Sequence, residues 1–293
     1  MVRYEKTTIF HLKGEIIEQS GVKLFIKRED QNHPFVSGNK WWKLKYNLEK
    51  AVKNGHTSLL TFGGAYSNHI YATAAAAHEV GLKSIGIIRG EEVLPHSPTL
   101  SFAKSSGMHL HYVSREAYRN KTESSFIEQL HNLFGDFYLV PEGGTNELAV
   151  KGCAEFAKQL SKEIDFDYLC LPVGTGGTIA GLAEGLNESK KIIGFPVLKG
   201  AQFLEEEIKT YTSKKNWQLV YDYHFGGYAK ITKELRESID EFEKQYNVPL
   251  DPIYTSKMMV GIMDLTKKKF FEPGSTILAI HTGGLQGKAG FNS

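Results

Sequence analysis

Two lysines three residues apart are the first residues in this chain that could do chemistry. Lys40 and Lys43 stand in Ser37-Gly38-Asn39-Lys40-Trp41-Trp42-Lys43-Leu44-Lys45, a segment whose pattern predicts a helix opening just after a loop. At that spacing both amines project from one helical face. Two ammonium groups held side by side raise each other's cost of charging, which depresses lysine pKa and favours a neutral, nucleophilic amine. The segment reads equally as a pair of solvated surface lysines, and alone it does not decide between the two.

A second segment is built to hold an anion. Asp167 to Val173 reads as a buried strand, Gly174-Thr175-Gly176-Gly177-Thr178 follows at once, and Ile179 to Ala183 continues into a helix. Glycines let backbone N–H groups approach closely, a helix amino terminus favours negative charge, and Thr175 and Thr178 add hydroxyl donors. A plain tight turn is the alternative, but two threonines and three glycines directly before a helix favour a phosphate. A nicotinamide fingerprint fails, because its third glycine position is Ile179 and the next strand runs into Pro196-Val197-Leu198-Lys199 without an acid for a ribose hydroxyl. No Gly-x-x-x-x-Gly-Lys-[Ser/Thr] occurs either, which disfavours a nucleotide triphosphate.

Taken in order, Ser-Gly-Asn-Lys at 37–40, Gly63-Gly64-Ala65-Tyr66-Ser67-Asn68-His69, Pro141-Glu142-Gly143-Gly144-Thr145-Asn146, the phosphate loop, Asp251-Pro252-Ile253-Tyr254-Thr255-Ser256-Lys257 and His281-Thr282-Gly283-Gly284 span nearly the whole chain. This ordered set resembles the 1-aminocyclopropane-1-carboxylate deaminase and D-cysteine desulfhydrase family, which are fold-type II pyridoxal-phosphate enzymes. The resemblance implies a Schiff base between Lys40 and pyridoxal 5'-phosphate, with Lys43 and the loop Gly174, Thr175, Gly176, Gly177 and Thr178 on the phosphate. It places Asn68 near the phenolic oxygen of the cofactor, Tyr254 stacked on the pyridine ring and Thr255 at the ring nitrogen. Ser67, Asn68 and His69 would bind the substrate carboxylate at a helix amino terminus, with Thr282 close by and Tyr228 as a further active-site tyrosine. An ordinary N-cap is the bland role of Ser67, and it is compatible with substrate binding.

Two positions bear on the reaction. The deaminases carry a glutamate after the stacking tyrosine, whereas this chain has Thr255, and they tend to carry leucine where it has Thr282; at both it resembles the desulfhydrases. An unprotonated pyridine is the weaker electron sink, better suited to losing a good leaving group than to opening a three-membered ring. The expectation is α,β-elimination from D-cysteine or a close analogue to pyruvate, ammonia and sulfide. Cyclopropane deamination is the alternative, and a non-catalytic protein that buffers the cofactor is an alternative of another class. Departures from the family are Tyr66 for a common glutamine and Trp42 and Tyr71 at positions often arginine. These are expected to crowd aromatic rings around the pocket.

The elements that must position these residues follow from periodicity. Short apolar runs alternate with helical patterns from Thr57 onward, which predicts an α/β fold with mostly parallel sheets. Strands are expected at Ser58 to Phe62, Ser84 to Ile88, His109 to Val113, Tyr138 to Val140, Tyr168 to Val173, Ile192 to Phe195 and Thr276 to Ile280, and helices at Asn68 to Val80 and Glu147 to Ile164. By resemblance the architecture is two-domain and tryptophan synthase β-like: residues 1–47 and 141–293 form a large cofactor-binding domain, 48–140 a small inserted one, with the cofactor in the cleft. A homodimer is expected on the same ground.

Composition removes other classes. With 293 residues, 41% hydrophobic and 23% charged, the proportions are those of an ordinary globular protein. The 35 basic and 33 acidic residues are dispersed and sum to +2, which offers no field for nucleic acid. Cys153 and Cys170 are isolated, no stretch is long and apolar enough to span a bilayer, and no apolar signal core follows the amino terminus, so a reducing, cytoplasmic setting without membrane contact is expected. His109 and His111 alternate without a third ligand, so no metal site is expected.

Overall fold

A computed structural model describes residues 1–290. Its ten strands are β1 (Ile9–Leu12), β2 (Lys23–Lys27), β3 (Ser58–Gly63), β4 (Lys83–Arg89), β5 (Met108–Val113), β6 (Tyr138–Val140), β7 (Tyr168–Val173), β8 (Lys191–Pro196), β9 (Trp217–Leu219) and β10 (Thr276–Ile280). They form a six-stranded sheet in the order β1-β2-β10-β7-β8-β9 and a four-stranded sheet in the order β5-β4-β3-β6. Every ladder is parallel except β1 with β2. All seven expected strands form, each within a residue or so of its expected ends.

Ten α-helices cover the sheets: α1 (Glu15–Ser20), α2 (Asn39–Lys53), α3 (Asn68–Glu79), α4 (Pro98–Ser105), α5 (Ser124–Phe134), α6 (Glu147–Glu163), α7 (Gly177–Gly185), α8 (Leu204–Lys209), α9 (Lys233–Tyr246) and α10 (Thr255–Lys267). Alternation along the central strands feeds two cores. Leu169, Leu171, Leu278 and Ile280 pack with Phe156, Leu160 and Ile179 of α6 and α7, while Cys170, Ile277 and Ala279 pack with Phe242, Met258 and Ile262 of α9 and α10. A parallel sheet buried on both faces must read as a near-continuous apolar run, which is how β7 reads.

Small residues bring α2, α6 and α7 close to one another. A side chain at Gly152 would strike the Trp42 carbonyl, and one at Gly181 would strike Cys153 and Val150. That close packing sets the start of α2, and with it Lys40 and Lys43, against the loop between β7 and α7. In the smaller sheet, the alanine run Ala74 to Ala77 seats α3 against both the Leu59–Val140 and the Ile70–Ile88 clusters. This fixes the amino end of α3, where Ser67 and Asn68 lie.

Candidate active site

Ligands of open α/β sheets bind beyond the carboxyl ends of the strands. The residues that follow β3, β6, β7, β8 and β10 here converge on one cavity of about 720 Å³, together with Arg89 at the end of β4. Lys40, Lys43, Ser67, Asn68, His69, Gly174, Thr175, Gly176, Thr178, Tyr228, Tyr254 and Thr282 all line it. The expected site is thus assembled from segments of both sheets.

The lysine segment is held by backbone geometry. Gly38 has φ +70, and a side chain there would run into the Thr282 carbonyl, so only glycine lets the chain turn into α2 beside the β10 loop. Lys40 Nζ donates to Asn39 Oδ1 at 3.1 Å, and Asn39 Nδ2 donates to Thr178 Oγ1 at 2.8 Å. Burial lowers the Lys40 pKa to about 8, while Cys153 and Asp251 oppose the shift. Lys43 is lowered to about 7, first by burial and then by the charge of Lys40. At Lys43 the repulsion expected from the spacing is therefore the smaller cause, and at Lys40 burial alone does the lowering.

Lys43 Nζ points at the phosphate loop, 2.8 Å from Thr145 Oγ1 and 3.4 Å from Thr175 Oγ1, and those two hydroxyls are 2.7 Å apart. The amino end of α7 begins beside them with Gly176 as N-cap, φ +77, and no side-chain cap. One ammonium, two hydroxyls and an uncapped helix amino terminus form a cradle for a phosphate dianion. Gly177 is not on the cavity wall; its missing side chain makes room for Thr145. Thr178 lines the cavity and accepts from Asn39 Nδ2 through its Oγ1, and Thr145 adds a hydroxyl that the sequence reading did not place there.

Opposite the loop, Tyr254 lies close to Gly174, where an added Cβ would be 3.3 Å from the ring. Tyr228 meets it edge-on with centroids 6.1 Å apart, and its hydroxyl donates to the Tyr66 carbonyl at 3.5 Å. Burial raises both phenols, Tyr254 the further, so both stay protonated at neutral pH. Buried Asp251 accepts from the amides of Ile253, Tyr254 and Thr255 at 2.9, 2.7 and 2.8 Å, which locks the first turn of α10. Thr255 is fully buried, lies outside the cavity wall, and its hydroxyl has no partner among the described residues.

At the amino end of α3, Ser67 Oγ accepts from Ile70 N at 3.3 Å and also faces the cavity, so the cap and the pocket role coexist. Asn68 Oδ1 accepts from Gln286 Nε2 at 2.7 Å. His69 differs from expectation. Thr61 gives its hydroxyl proton to the Val140 carbonyl at 2.8 Å, so His69 Nε2, 2.7 Å away, must donate to Thr61, and Nδ1 faces Thr73. Burial and the two lysines lower its pKa well below the usual range. His69 is a neutral ring tying α3 to β3, with its Nε2–H already committed.

The expected crowding of the pocket by Trp42, Tyr71 and Tyr66 is corrected. Trp42 is buried in the core, stacked on Phe156 at 4.9 Å with Nε1 donating to Glu29 at 2.8 Å, and Tyr71 stacks on Phe102 at 3.9 Å. Neither ring lines the cavity, nor does that of Tyr66, so these departures do not crowd it. Sequence reasoning missed Asn39, Thr145 and Asp251. Asp251 carried a legible signal, an aspartate just before a helix start, while the convergence of Thr145 with Thr175 is purely three-dimensional. Among the described residues no group of three or more His, Cys, Asp or Glu side chains could hold a metal ion.

The family model described as pyridoxal-phosphate dependent enzyme matches residues 3–283. The chain belongs to that family. It is 32% identical over 290 residues to a protein of Pyrococcus abyssi named "Putative 1-aminocyclopropane-1-carboxylate deaminase", covering 93% of this chain and 87% of that one. It is 30% identical over 295 residues to the bifunctional D-cysteine desulfhydrase/1-aminocyclopropane-1-carboxylate deaminase, mitochondrial, of Arabidopsis thaliana, covering 92% and 74%. A crystal structure of an ACC deaminase homologue superposes with TM-score 0.84 at 31% identity, covering 98% of this chain and 93% of that one. The cofactor is pyridoxal phosphate and the fold is fold-type II. In this pyridoxal-phosphate enzyme Lys40 would supply the amine and Lys43, with Thr145 and Thr175, would hold the phosphate, a donor set that fits the group.

Proposed function

We propose that this enzyme catalyses α,β-elimination on a β-substituted D-amino acid, D-cysteine foremost. D-cysteine and water would give pyruvate, ammonia and hydrogen sulfide. The observation that carries the reading is Thr255: the first turn of α10 sets a hydroxyl, and no carboxyl, beside Tyr254. When bound, pyridoxal phosphate supplies an electron-withdrawing ring that stabilises negative charge at the substrate Cα. Lys40 anchors the cofactor and, freed by the incoming amine, takes the Cα proton, a task suited to an amine whose pKa is about 8. Ser67 and Asn68 orient the carboxylate, with the amino end of α3 adding its dipole. Tyr228, kept protonated by burial, donates to the departing sulfur. We further propose that residues 48–140 act as the smaller domain, closing on the cavity to exclude water.

Cyclopropane deamination is the second reading, favoured by the names of the relatives. A screen of D- and L-amino acids with 1-aminocyclopropane-1-carboxylate for keto-acid release separates the two. Release from D-cysteine above the cyclopropane is expected; efficient ring opening without D-amino acid turnover overturns the elimination reading. Silence on every substrate with cofactor bound favours a cofactor-buffering role.

A further inference from the structure

Lys257 is fully buried, yet no carboxylate pairs with it among the described residues. Its Nζ instead donates to two backbone carbonyls, that of His224 at 2.9 Å and that of Gly227 at 2.7 Å. Each carbonyl also accepts an amide, from Gly227 and Lys230 respectively, so the lysine fills their remaining acceptor capacity. The segment it grips is unusual. Phe225, Gly226, Gly227 and Ala229 have φ of 47, 85, 113 and 55, and two of these residues carry side chains that disfavour that region. Left alone, such a segment would relax to negative φ. It contains Tyr228, whose hydroxyl reaches the Tyr66 carbonyl and whose ring lies edge-on to Tyr254.

We propose that Lys257 is a positioning residue that sets Tyr228 over the cavity by clamping the His224 and Gly227 carbonyls to the first turn of α10. Tyr254, Thr255 and Lys257 share that turn, so one capped helix start fixes the ring-facing tyrosine directly and the second tyrosine through its loop. A buried amine hydrogen-bonded to carbonyls is costly to desolvate, and burial lowers its pKa to about 8 against the opposing charge of Asp251. Two directed hydrogen bonds to a strained loop are what that cost secures. An apolar side chain of equal length would fill the space without the grip.

The test is Lys257→Met, with Tyr228→Phe and the double variant, in holoenzyme labelled with 3-fluorotyrosine. One of the 14 tyrosine resonances is assigned to Tyr228 by its loss in Tyr228→Phe. The Tyr228 resonance is expected to move or broaden in Lys257→Met while those of distant tyrosines stay put. In turnover, kcat should fall roughly tenfold with little change in KM, and the double variant should be no slower than Tyr228→Phe alone. An unmoved Tyr228 resonance, or multiplicative losses in the double variant, overturns the proposal. The rate arm rests on the reading of Tyr228 as proton donor, whereas the resonance arm does not, so the two failures are distinguishable. If Lys257→Met does not fold, Lys257→Gln, with a donor of shorter reach, is judged by the same two outcomes.

Discussion

Lys40 and Lys43 owe their lowered pKa values first to burial, about 8 and about 7 respectively. Lys40 is charged below about pH 8 and neutral above it. The rate of covalent cofactor attachment to apoenzyme should therefore rise with pH through about 8 and then level, instead of climbing towards the usual lysine value near 10.5. Stopped-flow absorbance follows the rate, and borohydride reduction with peptide mass spectrometry should place the cofactor on Lys40; a modified lysine elsewhere removes Lys40 from its role. Thr255 is tested differently. Its hydroxyl is buried without a partner, so Thr255→Val should leave apoenzyme stability unchanged or raise it, yet weaken cofactor retention by roughly 1 kcal/mol and shift the holoenzyme spectrum. Thr255→Glu should alter the spectrum with substrate and kcat more than retention. If both variants match wild type in spectrum and rate, Thr255 does not face the ring nitrogen.

Helix starts carry most of the site: α2 opens on Asn39 and Lys40, α3 on Ser67 and Asn68, α7 on the phosphate loop and α10 on Tyr254 and Thr255. Ser67 both caps α3 and faces the cavity, and the two roles separate energetically. Ser67→Ala should cost about 1 kcal/mol of stability, the usual loss of a cap, and raise KM while cofactor absorption persists. A stability loss with KM unchanged leaves Ser67 as a cap alone. Glycine and serine mark the starts of α2, α3 and α7 in the sequence, and for that reason those three were legible, whereas the aspartate before α10 was passed over. The strands that escaped notice are β1, β2 and β9. β9 is a three-residue edge strand, and β1 has two exposed residues among its four. β2 ends in Lys27, a charge that reads as solvent-facing but is fully buried, donating to Glu163 at 2.5 Å and to the Thr7 carbonyl at 3.0 Å. A buried, paired lysine breaks the apolar pattern on which strand reading depends.

On the scale of the whole molecule, both sheets contribute to a single cofactor site, and this explains which parts of the site the sequence concealed. Lys40, Ser67 and the phosphate loop each sit in a motif of their own. Thr145 would become a phosphate partner only because α6, which follows it, packs against α2 and α7; the same packing turns Trp42 inward onto Phe156, whereas Tyr71 is held by Phe102 where α3 packs on α4. Pyridoxal phosphate should accordingly act as a clamp between the sheets. A ligand that binds only the folded protein stabilises it by about 2.7 kcal/mol at a hundredfold excess over Kd, a shift of roughly 5–10 °C in Tm for a chain approaching this size. Lys40→Ala should keep part of that shift through the phosphate cradle, whereas Lys43→Met should lose more of it, because the Lys43 amine reaches both Thr145 and Thr175. Differential scanning calorimetry of wild type and both variants, each with and without cofactor, makes the comparison. If Lys40→Ala abolishes the shift and Lys43→Met preserves it, covalent attachment and not the phosphate cradle holds the two sheets together, and the part given to Lys43, Thr145 and Thr175 fails.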